Sequence, residues 1–381
     1  MKPSLRPIDE QVIVITGASS GIGLATARLA AARGACVVLA ARNGRDLERA
    51  VESIRRDGGR AVHIVADVAE EQAAERIADA ATREFGRIDS WVNNAAVAMY
   101  GRVTELPVDD MRRQMDVNFW GQVYGGRAAV RHMRGRGGAL INVASAVAER
   151  AIPLQGIYCA AKHALKAFTD TLRMELEEEG VPISVSLVKP GSIDTPFFQK
   201  ARSYIGVEPQ PVPPVYAPEV VARTVLECAV RPVRDIIVGG MGMVLSAAET
   251  ISPRGTDIYM ERTTFNSQKT EIPLASGRRD NLYEHVEHDG GERGRYQGHV
   301  MRSSMYTEIA LHPRAATLAA VGAGLLLVAG FRARRDSNGG ASGDAEPAAG
   351  ENRGDENRGD ENRAGGSGGG ESHAGSLGGA S

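Results

Sequence analysis

The sequence predicts a doubly wound α/β fold, a seven-stranded parallel sheet with helices on both faces, followed by a C-terminal extension. Two observations carry that reading. From Gln11 to about Val238 short apolar runs alternate with amphipathic stretches, the signature of repeated β-α units. A glycine-rich turn, "TGASSGIG" at Thr16 to Gly23, follows the first run and opens a helix.

The strand candidates in chain order are residues 12–16, 36–41, 61–65, 90–93, 139–144, 183–188 and 235–239. Between them Leu47, Ala50, Val51 and Ile54 recur at helical spacing, as do Ala73, Ile77, Ala80 and Phe85, so both sets face the core. Pro107 to Arg134 reads as one long helix, opened by proline in its first turn and closed by "RGRGG". A second long helix runs from about Gly156 to Glu179 and stops at Gly180, with Pro182 just beyond.

After Gly240 the pattern changes. Residues 245–314 are polar and show no sustained period, which predicts a linker or loosely packed extension after a first domain of residues 1–244. In this stretch "EHVEH" spaces His285 and His288 like metal ligands, but no third ligand is in view, so a solvated segment is expected and no metal. Residues 315–331, "AATLAAVGAGLLLVAGF", carry no charge and are flanked by Arg314 and by Arg332, Arg334 and Arg335. They predict a membrane-anchoring helix, spanning the bilayer or lying in its interface. Residues 332–381 are a low-complexity run of Gly, Asp, Glu, Asn and Arg that predicts a disordered tail.

Net charge is −2 with both signs interleaved, so no basic stripe points to nucleic acid. Cys36, Cys159 and Cys228 are odd in number and far apart, which fits reduced thiols. The polar start "MKPSLRPIDE" has no apolar core of a cleavable signal. A membrane-associated protein with its catalytic domain in the cytoplasm is expected, or else a cytoplasmic one.

The glycine turn carries the first chemistry. Such a turn lets the backbone approach a pyrophosphate and aims a helix N-terminus at the anion, so Gly17, Ser19, Ser20, Gly21, Ile22 and Gly23 are candidates for a dinucleotide. The second strand ends "VVLAARNG". No acid stands there for the ribose 2′-hydroxyl of NAD(H), while Arg42 is placed for the 2′-phosphate of NADP(H), so NADP(H) is favoured over NAD(H). Further on, "GIYCAAKHAL" sets Tyr158 and Lys162 four residues apart, on one helical face.

Together "TGASSGIG" and "YCAAK" resemble the short-chain dehydrogenase/reductase family in its ordinary short form, over residues 8 to about 240. Asp67 and Val68, "NNAA" at Asn93 to Ala96, Asn118, Ser145 and "KPGSIDT" at Lys189 to Thr195 stand in the family's order. Ala96 replaces a usual glycine. The resemblance implies a Rossmann-type fold, a catalytic set of Asn118, Ser145, Tyr158 and Lys162, and a homodimer or homotetramer. It also implies cofactor contacts at Asp67, Val68, Asn94, Tyr158, Lys162, Pro190, Gly191 and Thr195, with a water anchored at Asn118.

The implied reaction is hydride transfer between nicotinamide and a carbonyl or alcohol carbon. It needs an acid matched to the working pH. An ammonium about 5 Å from a phenol, at an effective dielectric of about 20, favours the phenolate by roughly 3 kcal/mol, or about two pKa units. Lys162 is expected to lower Tyr158 in this way, and Ser145 to hold the substrate oxygen. Ser192 to Pro218 falls at the family's mobile substrate lid, where Phe197, Phe198, Tyr204 and Ile205 suggest an apolar small-molecule substrate. The alternative is a noncatalytic nucleotide-binding or scaffolding protein at the membrane.

Overall fold

The computed structural model describes residues 3–288 and 291–312. The expected anchor, residues 315–331, and the expected tail, 332–381, lie outside the described residues. Contacts divide the chain into a unit of residues 1–320 and a unit of residues 321–381, and the described residues all belong to the first. Among them no helix is long and apolar enough to cross a membrane.

The chain begins β1 (Val12–Thr16), α1 (Gly21–Ala32), β2 (Cys36–Ala41), α2 (Gly44–Arg56), β3 (Arg60–Val65), α3 (Glu71–Phe85) and β4 (Ser90–Asn93). It continues through β5 (Met99–Tyr100), α4 (Val108–Met115), a π-helical turn (Asp116–Trp120), α5 (Gly121–Met133), β6 (Gly138–Val143), α6 (Gly156–Glu178) and β7 (Ile183–Pro190). Short pieces come next: β8 (Ser192–Ile193), α7 (Phe197–Lys200), β9 (Arg202–Ser203), β10 (Val207–Pro209) and β11 (Val215–Tyr216). Then come α8 (Pro218–Val230), β12 (Asp235–Val238), α9 (Gly240–Ile251), α10 (Pro253–Ser267), β13 (Lys269–Pro273), β14 (Val300–Met301) and α11 (Met305–Leu311).

The seven predicted strands form one sheet in the order β12-β7-β6-β4-β1-β2-β3, and every pair is parallel. β1, β2 and β6 are buried along their whole length, as strands covered on both faces must be. One layer of core packs α1, α2 and α8 on the sheet through residues such as Leu24, Leu47 and Val221. The other packs α3, α5 and α6 through Ile77, Ala129 and Leu176. Strand order reverses at β1 and β4, so a crevice opens beyond their C-terminal ends, where such folds bind ligands.

The expected single helix from Pro107 to Arg134 is present as continuous helical backbone from Val108 to Met133, with a π turn inside it. The π turn widens it at Asp116–Trp120, where buried Asn118 takes hold of a distant backbone: Val97 N–H donates to its Oδ1 at 2.8 Å, and its Nδ2 donates to Val97 O at 2.9 Å. π turns of this kind are frequent at functional sites.

A linker is not what the described part of residues 245–314 contains. Helix α9 runs across the expected boundary at 244, β13 pairs antiparallel with β10, and β14 pairs with β11. Part of the extension's hold is charge and backbone contact, which leaves no period in the sequence. Arg150 reaches Glu249 at 2.7 Å and Asp257 at 2.5 Å, and Gly239 N–H donates to Thr307 Oγ1 at 3.1 Å. Leu311 joins the main core.

Candidate active site

The crevice is shaped first by β1 and β4. Thr16 Oγ1 receives the Asn94 and Ala95 N–H groups at 3.0 and 3.2 Å, and Asn94 Nδ2 donates to Thr16 O and Gly17 O at 3.0 and 3.3 Å. This ties the end of β4 against the glycine turn. Gly17 has φ +67, and a Cβ there would stand 2.7 Å from Ala95 Cα, so the turn requires glycine on both counts. A Cβ on Gly23 would meet Gly17 O at 2.3 Å. Its role is the tight seating of α1. Ala96 needs no left-handed backbone, since Leu154 is the one non-glycine residue with positive φ among the described residues.

Helix α6 carries Tyr158 and Lys162. A buried polar ladder fixes its position: Asn93 Nδ2 donates to Asn142 Oδ1 at 3.0 Å, and Asn142 Nδ2 donates to Thr169 Oγ1 at 2.9 Å. Two turns N-terminal of Thr169, Lys162 is buried, donates from Nζ to Val143 O at 2.9 Å, and lies 5.6 Å from the centre of the Tyr158 ring. Ser145 comes just after β6. Its Oγ accepts from Val147 N–H at 3.3 Å and donates to Pro190 O at 3.4 Å.

Burial dominates the electrostatics here. It pushes the Tyr158 phenol well above its usual value, against the opposing hydrogen bond from Ser145. It also brings the Lys162 ammonium down to about 7. The expected lowering of Tyr158 by Lys162 is therefore reversed, because desolvation penalises both charged forms at once.

Tyr158, Lys162 and Ser145 line one cavity of about 310 Å³ together with the predicted cofactor residues, except Gly23. Asn118 lies behind it, buried, its amide committed to Val97. Gly17 and Gly23 pack too tightly against Ala95 and the Gly17 carbonyl for side chains, and the groove they shape would take a dinucleotide once the Gly291 carbonyl leaves the Gly21 N–H. From the predicted lid, Phe197 and Phe198 line the cavity, and the Phe197 ring lies 5.8 Å from that of Tyr158. Tyr204 and Ile205 do not: the Tyr204 hydroxyl binds Asp110, and Ile205 packs beside Tyr100 and Ala201.

Sequence reasoning missed the extension's share of this site. Met241, Leu245, Met260 and Thr264 of α9 and α10 line the same cavity, as do Asn281 and His285. Arg42, expected on a 2′-phosphate, donates to the carbonyls of Asn281 and Tyr283, the latter at 2.8 Å. Gly21 N–H, expected on the pyrophosphate, donates to Gly291 O at 2.8 Å, because a helix-start N–H takes the acceptor available to it. Asp67, an expected cofactor contact, is paired with Arg113. The apolar faces of α9, in "GMGMVLSAA", were the signal that could have placed that helix.

Known proteins decide the family. The short chain dehydrogenase family matches residues 11–205. An uncharacterized oxidoreductase of Bacillus subtilis (strain 168), YxnA, is 44% identical over 332 residues, covering 85% of this chain and 91% of its own. The chain is a short-chain dehydrogenase. It is thus an NAD(P)-dependent oxidoreductase acting on CH–OH groups.

The match to YxnA covers too much of this short-chain dehydrogenase to stop at residue 244, so the relative shares part of the extension. The 11-beta-hydroxysteroid dehydrogenase A of Sesamum indicum is 35% identical over 59% of this chain and 67% of its own. Among solved structures, an alcohol dehydrogenase from Thermococcus sibiricus complexed with 5-hydroxy-NADP is 26% identical with a TM-score of 0.53, over 60% of this chain and 95% of that one.

Proposed function

We propose that this short-chain dehydrogenase interconverts the carbonyl and alcohol forms of a bulky apolar substrate with NADP(H), Tyr158 exchanging the proton. The observation that carries the reading is the convergence of Tyr158, Ser145 and Lys162 in one cavity with apolar walls from Phe197, Met241, Leu245 and Met260. Bound nicotinamide would supply or accept the hydride at the substrate carbon. Ser145 hydrogen-bonds the substrate oxygen and holds it at the phenol. In reduction Tyr158 gives its proton to that oxygen as the C=O double bond becomes a C–O single bond, and in oxidation it takes the proton back. Burial keeps the phenol protonated, the form that reduction uses, and Lys162 in its charged form offsets the phenolate left behind.

The cofactor preference rests on Arg42 and the absence of an acid at Ala40 and Ala41. The relative and the solved structure, named for a hydroxysteroid and for an NADP derivative, support the size of substrate and the cofactor. For a diphosphate to take the Gly21 N–H, the Gly291 carbonyl must give way. The sequence of 315–331 supports attachment to a membrane, and membrane fractionation with and without residues 313–381 tests it: an unchanged soluble distribution contradicts it.

Apolar ketones, ketosteroids and aldehydes, each offered with NADPH and with NADH, test the reading. Turnover of the larger ketones with NADPH, and a loss of that preference in R42A, are expected. Equal or better turnover with NADH removes Arg42 from the phosphate role, and no turnover of any carbonyl contradicts the substrate class.

A further inference from the structure

Residues 278–288 of the extension cross the groove at the adenosine end of the proposed cofactor site. They are bolted down there by several independent contacts. Asp280 pairs with Arg202 at 2.9 Å, and the Tyr283 hydroxyl donates to Asp110 Oδ1 at 2.9 Å. Asn281 N–H donates to Lys200 O at 2.9 Å, and Asn43 Nδ2 donates to Val286 O at 2.9 Å. This stretch therefore has a fixed place over Arg42 and Asp67.

Asn281 is the residue of this stretch that points to a ligand. It is 9% exposed, lines the cavity with Arg42, Asn43, Asp67 and Val68, and its Oδ1 is buried without a hydrogen-bond partner. A buried amide oxygen left unpaired is costly, so a native structure that keeps one calls for an explanation. An amide oxygen only accepts, so the matching group must be a hydrogen donor. Nearby, Asp67 is partly engaged: its Oδ1 receives Ala69 N–H at 3.0 Å and its Oδ2 is paired with Arg113.

We infer that Asn281, supplied by the extension, is a cofactor-binding residue whose Oδ1 accepts a hydrogen bond from the adenosine half of NADP(H). The donor is either the adenine amino group or a ribose hydroxyl. The inference rests on the proposed NADP(H) reading and adds a wall to the site from outside the family-matched residues 11–205.

The test is direct binding to the full chain, wild type against N281A and N281L, the second keeping the volume without the acceptor. Melting temperatures establish that each variant is folded. NADPH and 2′-phospho-AMP are expected to bind about tenfold more weakly to both variants, while the affinity for nicotinamide mononucleotide stays unchanged. The hypoxanthine analogue of NADPH separates the donors. If its affinity is the same in wild type and N281A, the adenine amino group is the donor; if it falls tenfold like NADPH, the donor is a ribose hydroxyl. Wild-type affinity of folded N281A and N281L for NADPH and 2′-phospho-AMP overturns the inference and leaves the proposed function standing. A wild-type protein that binds no dinucleotide overturns both.

Discussion

The ammonium of Lys162 lies 5.6 Å from the centre of the Tyr158 ring while it donates to the Val143 carbonyl at 2.9 Å. Both side chains are buried, so each loses hydration in its charged form. Charge at the pair is therefore conditional on pH, a condition that spacing along a helix does not reveal.

Stability should report the buried lysine. Its value in the folded protein is about 7 against an ordinary value of 10.5, so between these limits the unfolded chain holds a proton that the folded chain lacks. Stability contributed by this group then rises with pH from about 7 to about 10.5 and is lost as pH falls toward 7. K162M has no such group. Its melting temperature relative to wild type should be higher at about pH 6.5 than at about pH 9.5, as followed by circular dichroism; a difference that does not change with pH contradicts the role of burial.

Catalysis should show the same group with the opposite consequence. If the charged lysine offsets the phenolate formed during reduction, kcat/KM for carbonyl reduction declines as pH rises through about 7. A pH profile with saturating substrate separates this from weaker binding. A flat profile from about pH 6 to about pH 9 would remove Lys162 from the electrostatic role.

Gly23 offers a test of the cradle. A methyl group there meets Gly17 O at 2.3 Å and Asn94 Nδ2 at 2.7 Å, so the turn must move. G23A should destabilise the fold by about 1–3 kcal/mol, the usual cost of overpacking, and weaken NADPH by at least about tenfold. Unchanged values in urea unfolding and in NADPH titration would show that the turn adapts.

Asp110 joins lid and extension. Its carboxylate receives Arg202 at 2.8 Å and the hydroxyls of Tyr204 and Tyr283. Burial alone would raise the carboxyl; the hydrogen bonds from Tyr204, Arg202 and Tyr283 outweigh it and hold it below the ordinary value. Its contribution is thus present above the usual carboxylate range and is lost as pH falls through the depressed value. D110A should cost about 1–3 kcal/mol near neutral pH, the scale of lost hydrogen bonds to a charged group, and less in acid, since Arg202 keeps Asp280 as a partner. Urea unfolding at two pH values measures both.

What the sequence made legible was local or periodic. Tyr158 and Lys162 face one way because they lie one helical turn apart, and the glycine turn announces itself by what flanks it. The π turn at Asn118 was not legible, and neither was its grip on the Val97 backbone, which lies in another segment of the chain. Nor was the extension's hold on Arg42, since backbone carbonyls of Asn281 and Tyr283 make it and a carbonyl leaves no mark in a residue pattern. Tyr204 looked like a pocket residue because it is aromatic and lies in the lid; Asp110 draws its hydroxyl elsewhere.

The central claim is that Tyr158 exchanges the proton. The most direct measurement is turnover of a reducible ketone by Y158F beside NADPH binding by the same protein. The account predicts loss of turnover by several orders of magnitude with NADPH affinity within a few-fold of wild type. Turnover at the wild-type rate would contradict it.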